Sequence, residues 1–193
     1  FCGNLKSNEV KNIINYLSKL PIKTSNTQHN NKDYQIISDS EHKHFIVKEN
    51  AIQASINIGK IMVNRTHKDY VPLQVLNTVL GGYFGSRLMT NVREDKGYTY
   101  GIGYGIISYE NSGYFIITTR VGKDVVQPAL EAIYHEINRL RTETIPQDEL
   151  DMVKTYMLST IVRNFDGALS TSEMLRNTFD YNIDFYKYYQ QFW

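Results

Sequence analysis

Cysteine is nearly absent from this chain of 193 residues, Cys2 being the single one. This excludes an internal disulfide framework and any cysteine-built zinc cage. It sets no compartment, because a disulfide-free domain survives in either redox setting. An excess of one charge is lacking too. The formal net charge is +1, so no strong field points to nucleic acid or to a membrane surface. No apolar run approaches the ~20 residues that a membrane-spanning helix needs. An initiating Met is missing, as is the basic start and apolar stretch of a signal peptide. Phe1-Cys2-Gly3-Asn4 reads as the end of a strand entering a turn, and the chain stops on the bulky pair Phe192-Trp193. Ends of this kind predict a single domain, 1–193, truncated at both ends and excised from something longer.

What is present is apolar and aromatic. Hydrophobic residues make up 41% of the chain and aromatics 12%, enough for one sizeable core or at most two small ones. Residues 7–20 carry Val10, Ile13, Ile14 and Leu17 at helical spacing, with Ser7 as N-cap and Pro21 as the stop. Residues 22–33, polar and rich in Asn and Thr, read as a surface loop. Two strands are expected next, at 42–48 and 53–62. In the second, Ala54, Ile56 and Ile58 alternate with Ser55 and Asn57, the period of a half-buried strand.

Helical spacing returns at 69–80 through Leu73, Leu76 and Leu80, with Pro72 tolerated in the first turn and Gly81-Gly82 as the stop. Ser86 is expected to cap a short helix reaching Asp95, with Gly97 in the left-handed position after it. Strands are expected at 98–107 and 113–121, joined by the loop Glu110-Asn111-Ser112-Gly113. The remainder reads as helical. Val126, Ala129, Leu130, Ile133, Ile137 and Leu140 mark one helix, capped by Asp124, and a capping-box pattern at 144–147 opens another to about Asn164. Its buried stripe is Leu150, Val153, Met157 and Ile161. Weaker helices at 171–177 and 183–193 close the chain. The order predicts an α+β domain with a mostly antiparallel sheet backed by helices.

Motifs for chemistry are scarce. The five histidines are His29, His42, His44, His67 and His135. None forms the His-x-x-Glu-His or His-Glu-x-x-His spacing that sets two imidazoles on one helix face. His135-Glu136 lacks the second imidazole, and His42 with His44 would share a strand face without a third ligand. The stretch 81–87 lacks the Gly-Lys-Ser/Thr ending of a phosphate loop and follows a helix, so it reads as a tight helix-to-helix turn. No serine sits in a Gly-x-Ser-x-Gly elbow, and no spacing singles out a pair of acid–base carboxylates.

The segment that stands out runs from Ser86 to Gly101. Arg93 falls in the last turn of the short helix and Tyr100 near the start of the following strand. Both side chains can project from one helix–strand corner and donate hydrogen bonds to a carbonyl or a developing oxyanion. The structural alternative stays open here, since an Arg in a final helical turn suits the helix dipole and a strand Tyr can be plain sheet cover. Along the strand, Tyr98, Tyr100, Ile102, Tyr104 and Ile106 share one face, opposite Thr99, Gly101, Gly103, Gly105 and Ile107. Three alternate glycines call for a close neighbour, and a helix packed on the glycine face is the expectation.

In this segment, Leu80-Gly81-Gly82-Tyr83-Phe84-Gly85-Ser86-Arg87-Leu88 followed by Val92-Arg93-Glu94-Asp95-Lys96-Gly97-Tyr98-Thr99-Tyr100, the chain resembles the insulinase (pitrilysin) family of zinc metallopeptidases, which includes mitochondrial processing peptidase. Phe1 to Leu5 resembles the strand-to-helix entry of the family's C-terminal domain. Thr144 to Lys154 resembles its helix opening, with Glu149-Leu150 and Lys154 in place. The resemblance implies a metallopeptidase (LuxS/mitochondrial processing peptidase-like) α+β domain, the C-terminal half of a two-domain enzyme whose halves face each other around a chamber. It implies that the zinc and its His-x-x-Glu-His helix belong to a homologous partner domain, on the same polypeptide or on a partner subunit, and that this chain holds no cofactor and is inactive alone. It further implies that Arg93 and Tyr100, seven apart, hold the backbone of a peptide substrate beside that metal. A non-catalytic scaffold or peptide-binding module of the same family is the alternative. Neither reading involves nucleic acid or a membrane.

Overall fold

The computed structural model describes residues 1, 3–21 and 42–192. Cys2, His29, Trp193 and the expected surface loop lie outside the described residues. Helix α1 (Ser7–Leu17) starts the chain. Its N-cap is Lys6, not Ser7, and the Lys6 N–H donates to Glu9 Oε2 at 2.7 Å, a first-turn carboxylate doing the capping. None of its residues is buried, so the stripe seen in its sequence is not packed among the described residues.

Among the described residues the sheet has three antiparallel strands in the order β1-β3-β2: β1 (Gln53–Met62), β2 (Ile102–Ser108) and β3 (Gly113–Gly122). The β2–β3 hairpin is closed by the Tyr109 N–H donating to Ser112 O at 2.7 Å, as the Asn-Ser-Gly sequence predicts. The expected strand at 42–48 does not form, and its apolar residues Phe45, Ile46 and Val47 are exposed. An extended run needs a neighbour to pair with. Residues 53–62 are all paired with β3, and 42–48 find no partner among the described residues.

Helices α2 (Tyr70–Gly81), α3 (Val126–Thr142), α4 (Gln147–Asn164), α5 (Ala168–Phe179) and α6 (Phe185–Gln190) complete the domain. Three further capping expectations fail, the first at Ser86, whose buried hydroxyl has no hydrogen-bond partner among the described residues. A single 3₁₀ turn, Lys123–Val125, takes in Asp124 before α3, and Pro146 is the N-cap of α4; neither helix has a side-chain cap. In both, fixed chain entry from a strand or a proline replaces the side-chain acceptor.

One sheet face is covered. Ile56 of β1, Ile102 of β2 and Ile117 and Val121 of β3 pack with Leu80 of α2, Leu88, Val92, and Ala129, Ala132 and Ile133 of α3. This single cluster is the main core, and its burial supplies most of the drive to fold. A second small cluster, Tyr70, Val71 and Tyr188, joins the C-terminal helices to it. Tyr181 donates its hydroxyl to Ser108 O at 2.6 Å, and Arg65 Nη1 donates to Asn177 O at 3.1 Å. The Arg65 guanidinium also lies 5.1 Å from the Tyr181 ring centre, within cation–π range.

The glycine face of β2 corrects an expectation. Helices pack on the Ile102 and Tyr104 side, not on the glycine side. A methyl group on Gly101 or Gly105 would meet nothing within 4 Å. The small residues therefore keep one face of the sheet open and flat.

Candidate functional site

The corner predicted to matter is built by a widened helical turn. Ser86 and Arg87 are buried, and Arg87 is locked to α4 by a two-pronged ion pair with Glu149, at 2.8 Å from Nε and 2.7 Å from Nη2. Such a fork is geometrically specific as well as strong. Residues Met89–Asp95 then adopt a π-helix, shown by the Lys96 N–H donating to Asn91 O at 3.2 Å, five residues back. π-turns are rare and concentrate at functional sites. Here the wide register is held from beneath. Val92 is fully buried, and Asn91 Nδ2 donates to Glu136 of α3, which is itself buried and accepts from Arg139 Nη1 at 3.1 Å.

Arg93 leaves the opposite side of this turn. Its Nε donates to the Tyr100 backbone carbonyl at 2.9 Å, and its guanidinium carbon lies 4.7 Å from the Phe84 ring centre. Glu94 stands 3.6 Å from Nη1. The chain reverses at Gly97, whose φ is +63°, a left-handed conformation that costs glycine little. The structure thus brings Arg93 and Tyr100 together, though the bond is to the tyrosine's main chain.

Tyr100 is not in a strand, because regular pairing with β3 ends at Ile102. Before that point a threonine substitutes for the ladder. Thr99 Oγ1 lies 2.8 Å from Gly101 O and 2.9 Å from Arg120 O, and accepts from the Gly101 N–H at 3.1 Å. Thr119 Oγ1 adds a further bond to it at 2.9 Å. This network arches the backbone outward, and the Tyr100 side chain is 94% exposed. Its phenol makes no hydrogen bond among the described residues.

Beside the arch lies an open cleft of about 440 Å³, lined by Gln53, Thr99, Tyr100, Gly101, Thr118, Thr119 and Arg120. Gln53, Thr118 and Arg120 were not singled out by sequence reasoning. Thr118 and Arg120 sit at alternate positions on the polar face of β3, and that period was the available signal.

Among the described residues no group of three or more His, Cys, Asp or Glu side chains could hold an ion. The strand face that was to carry His42 and His44 does not exist. His67 accepts at Nδ1 from the Asp69 N–H at 3.2 Å, and Glu136, next to His135, is committed to Asn91 and Arg139.

The family model described as the peptidase M16 inactive domain matches residues 1–157. The chain belongs to that family. This M16 inactive domain is 33% identical over 130 residues to a relative named an uncharacterised zinc protease, YmxG of Bacillus subtilis, covering 67% of the chain and 31% of the relative. It is 25% identical over 174 residues to YmfF of the same organism, named a probable inactive metalloprotease, covering 90% of the chain and 40% of the relative. It therefore spans less than half the length of these two relatives. Among solved structures, a peptidase M16 inactive domain from Pseudomonas fluorescens superposes with a TM-score of 0.66 at 26% identity, over 72% of this chain and 33% of that one. A protease from Helicobacter pylori superposes over 99% of this chain and 47% of its own with a TM-score of 0.78 at 18% identity, a likeness of fold that includes the C-terminal helices. The metallopeptidase kinship read from residues 80–100 and the α+β fold class both hold.

Proposed function

We infer that this M16 inactive domain is the substrate-holding, non-zinc half of a zinc-dependent endopeptidase, and that it works with a zinc-bearing homologous domain on the same polypeptide or on a partner subunit. The observation that carries the reading is the tie from Arg93 to the main chain of Tyr100, a residue that lines the cleft. It holds an arginine fork and an exposed phenol at one corner, on a scaffold anchored twice below. In this reading the Tyr100 hydroxyl donates to a carbonyl of the bound peptide, and the Nη groups of Arg93 donate to a neighbouring one. The partner domain's zinc supplies Lewis-acid activation. What this chain adds is orientation of the peptide and neutralisation of charge developing on the carbonyl oxygen.

Arg93→Ala and Tyr100→Phe in the full-length protein, assayed together with the zinc-bearing domain, test this. Zinc content measured by mass spectrometry is expected to stay unchanged while kcat/KM falls by about 10²–10³. Wild-type turnover in both variants would overturn the assignment. A scaffold or peptide-binding module is the second reading, favoured by the name of the relative YmfF, a probable inactive metalloprotease. The discriminating observation is whether a His-x-x-Glu-His motif is encoded upstream or in a neighbouring gene; its absence from both would favour the scaffold.

A further inference from the structure

We propose that Arg120 selects an acidic side chain in the bound peptide, so that the substrate class of this domain is peptides carrying Asp or Glu next to the segment held at the Arg93–Tyr100 corner. The inference rests on the reading of that corner as a peptide site.

The open sheet face is ordered in rows. Ser55 lies beside Arg120, Asn57 beside Thr118 and Gly103, Gly59 beside Ile116 and Gly105, and Ile61 beside Tyr114 and Ile107. The rows nearest Tyr100 are polar and low, and those at the hairpin end are apolar. Among the described residues Arg120 is the one charged residue lining the cleft, and it rises from a floor of Ser55, Gly101 and Thr118. Charges on sheets commonly protect an exposed edge. That explanation fails here, because β3 is the middle strand.

Nor does any described residue neutralise this arginine. Arg120 is exposed, and its side chain has no ion pair or hydrogen bond among the described residues. Its main-chain carbonyl is held by Thr99 at 2.9 Å, so the strand position is fixed while the guanidinium is free. Asp124 lies at the end of this strand face, its Oδ1 only 2.7 Å from where a Gly122 methyl would stand, but it does not pair with Arg120. Compare Arg87 and Arg139, each bound to carboxylates of this domain. Among the described residues this guanidinium is unpaired and the cleft lining holds no carboxylate, so it can serve as a receptor for one.

The test uses the full-length protein and fluorescein-labelled peptides amidated at the C-terminus, which removes the terminal carboxylate as a rival ligand. The peptides are identical except for one Glu, Gln or Lys walked along the sequence, and binding is read by fluorescence anisotropy. At one position Glu is expected to bind about three- to tenfold more tightly than Gln, with Lys weakest and the preference shrinking as salt rises. Arg120→Gln should abolish the preference and Arg120→Glu should reverse the order of Glu and Lys. A Glu preference that survives Arg120→Glu overturns the proposal. If Arg93→Ala weakens all peptides alike while Arg120→Glu leaves selectivity unchanged, this inference fails and the corner reading stands. If no peptide binds the wild-type protein, both fail.

Discussion

The helix-covered face of the sheet carries Ile56, Ile102, Ile117 and Val121, all buried, whereas the opposite face of the same strands carries Ser55, Asn57, Thr118 and Arg120, all exposed. Only the pleat separates the two sets, since neighbouring residues of a strand point to opposite sides. The comparison shows how packing is confined to one side of a thin layer. Helices α2 and α3 and the π-turn press on one face and supply the core. The other face keeps small or polar side chains near the Arg93–Tyr100 corner, and substitutions there leave the packed face untouched.

The largest expected contrast comes from adjacent residues. Ile117 has no exposed surface, and truncating it removes three methyl or methylene groups from a packed core. Ile117→Ala should cost about 2–5 kcal/mol. Thr118 is exposed and donates only to Asn57 Oδ1, at 2.8 Å, so Thr118→Ala should cost less than about 1 kcal/mol. Urea unfolding measures both. Equal losses would mean that the open face is packed against something in the protein studied.

The two faces also mark how far the sequence could be read. Period-2 alternation assigned the strand at 53–62 and its faces, strand composition assigned 113–121 without its faces, and helical spacing placed α2, α3 and α4 to within a few residues. The kinship signal at 80–100 located the corner. Three features escaped because they depend on partners distant in sequence. Residues 42–48 have strand composition but no neighbour among the described residues. The π-register of Met89–Asp95 depends on Asn91 meeting Glu136, 45 residues away. The late start of β2, at Ile102 and not at Tyr98, depends on Thr99 meeting Thr119 and Arg120. The glycines of β2 misled for another reason. A small residue says that something requires space, not whether that something is a helix or an open surface.

Two glycines sharpen that last point with a smaller effect. A methyl on Gly81, at the end of α2, would come within 2.6 Å of the Tyr104 ring on the covered face. Gly81→Ala should therefore displace Tyr104 and cost about 1–3 kcal/mol. Gly105 is the neighbour of Tyr104 on the open side, with nothing within 4 Å of a methyl. Gly105→Ala should be neutral or stabilise by up to about 1 kcal/mol, by narrowing the unfolded chain's freedom. Thermal melting would separate the pair. A drop in Tm for Gly105→Ala matching that for Gly81→Ala would break the comparison on its open side.

The smallest effect at neutral pH concerns Tyr104 itself, a polar group placed on the covered face. Its hydroxyl is buried and has no hydrogen-bond partner among the described residues, and burial pushes its ionisation well above the usual phenol range. Removing the hydroxyl discards a desolvation cost without leaving a partner unpaired. Tyr104→Phe should then be neutral or stabilising by up to about 1 kcal/mol at pH 7. The pH dependence is more diagnostic. Below about pH 10, where an unfolded tyrosine keeps its proton, both states are protonated and this group's contribution to stability is intact. Above that, the unfolded chain ionises while folded Tyr104 holds its proton, so stability falls with rising pH by at most about 1.4 kcal/mol per pH unit. Tyr188, pushed up to about 12 mainly by burial, adds a slope of the same sign. Urea midpoints measured from pH 8 to 11 should fall less steeply in Tyr104→Phe than in wild type, by one proton's share. Parallel profiles would place the Tyr104 hydroxyl in water, on the wrong side of the division between the two faces.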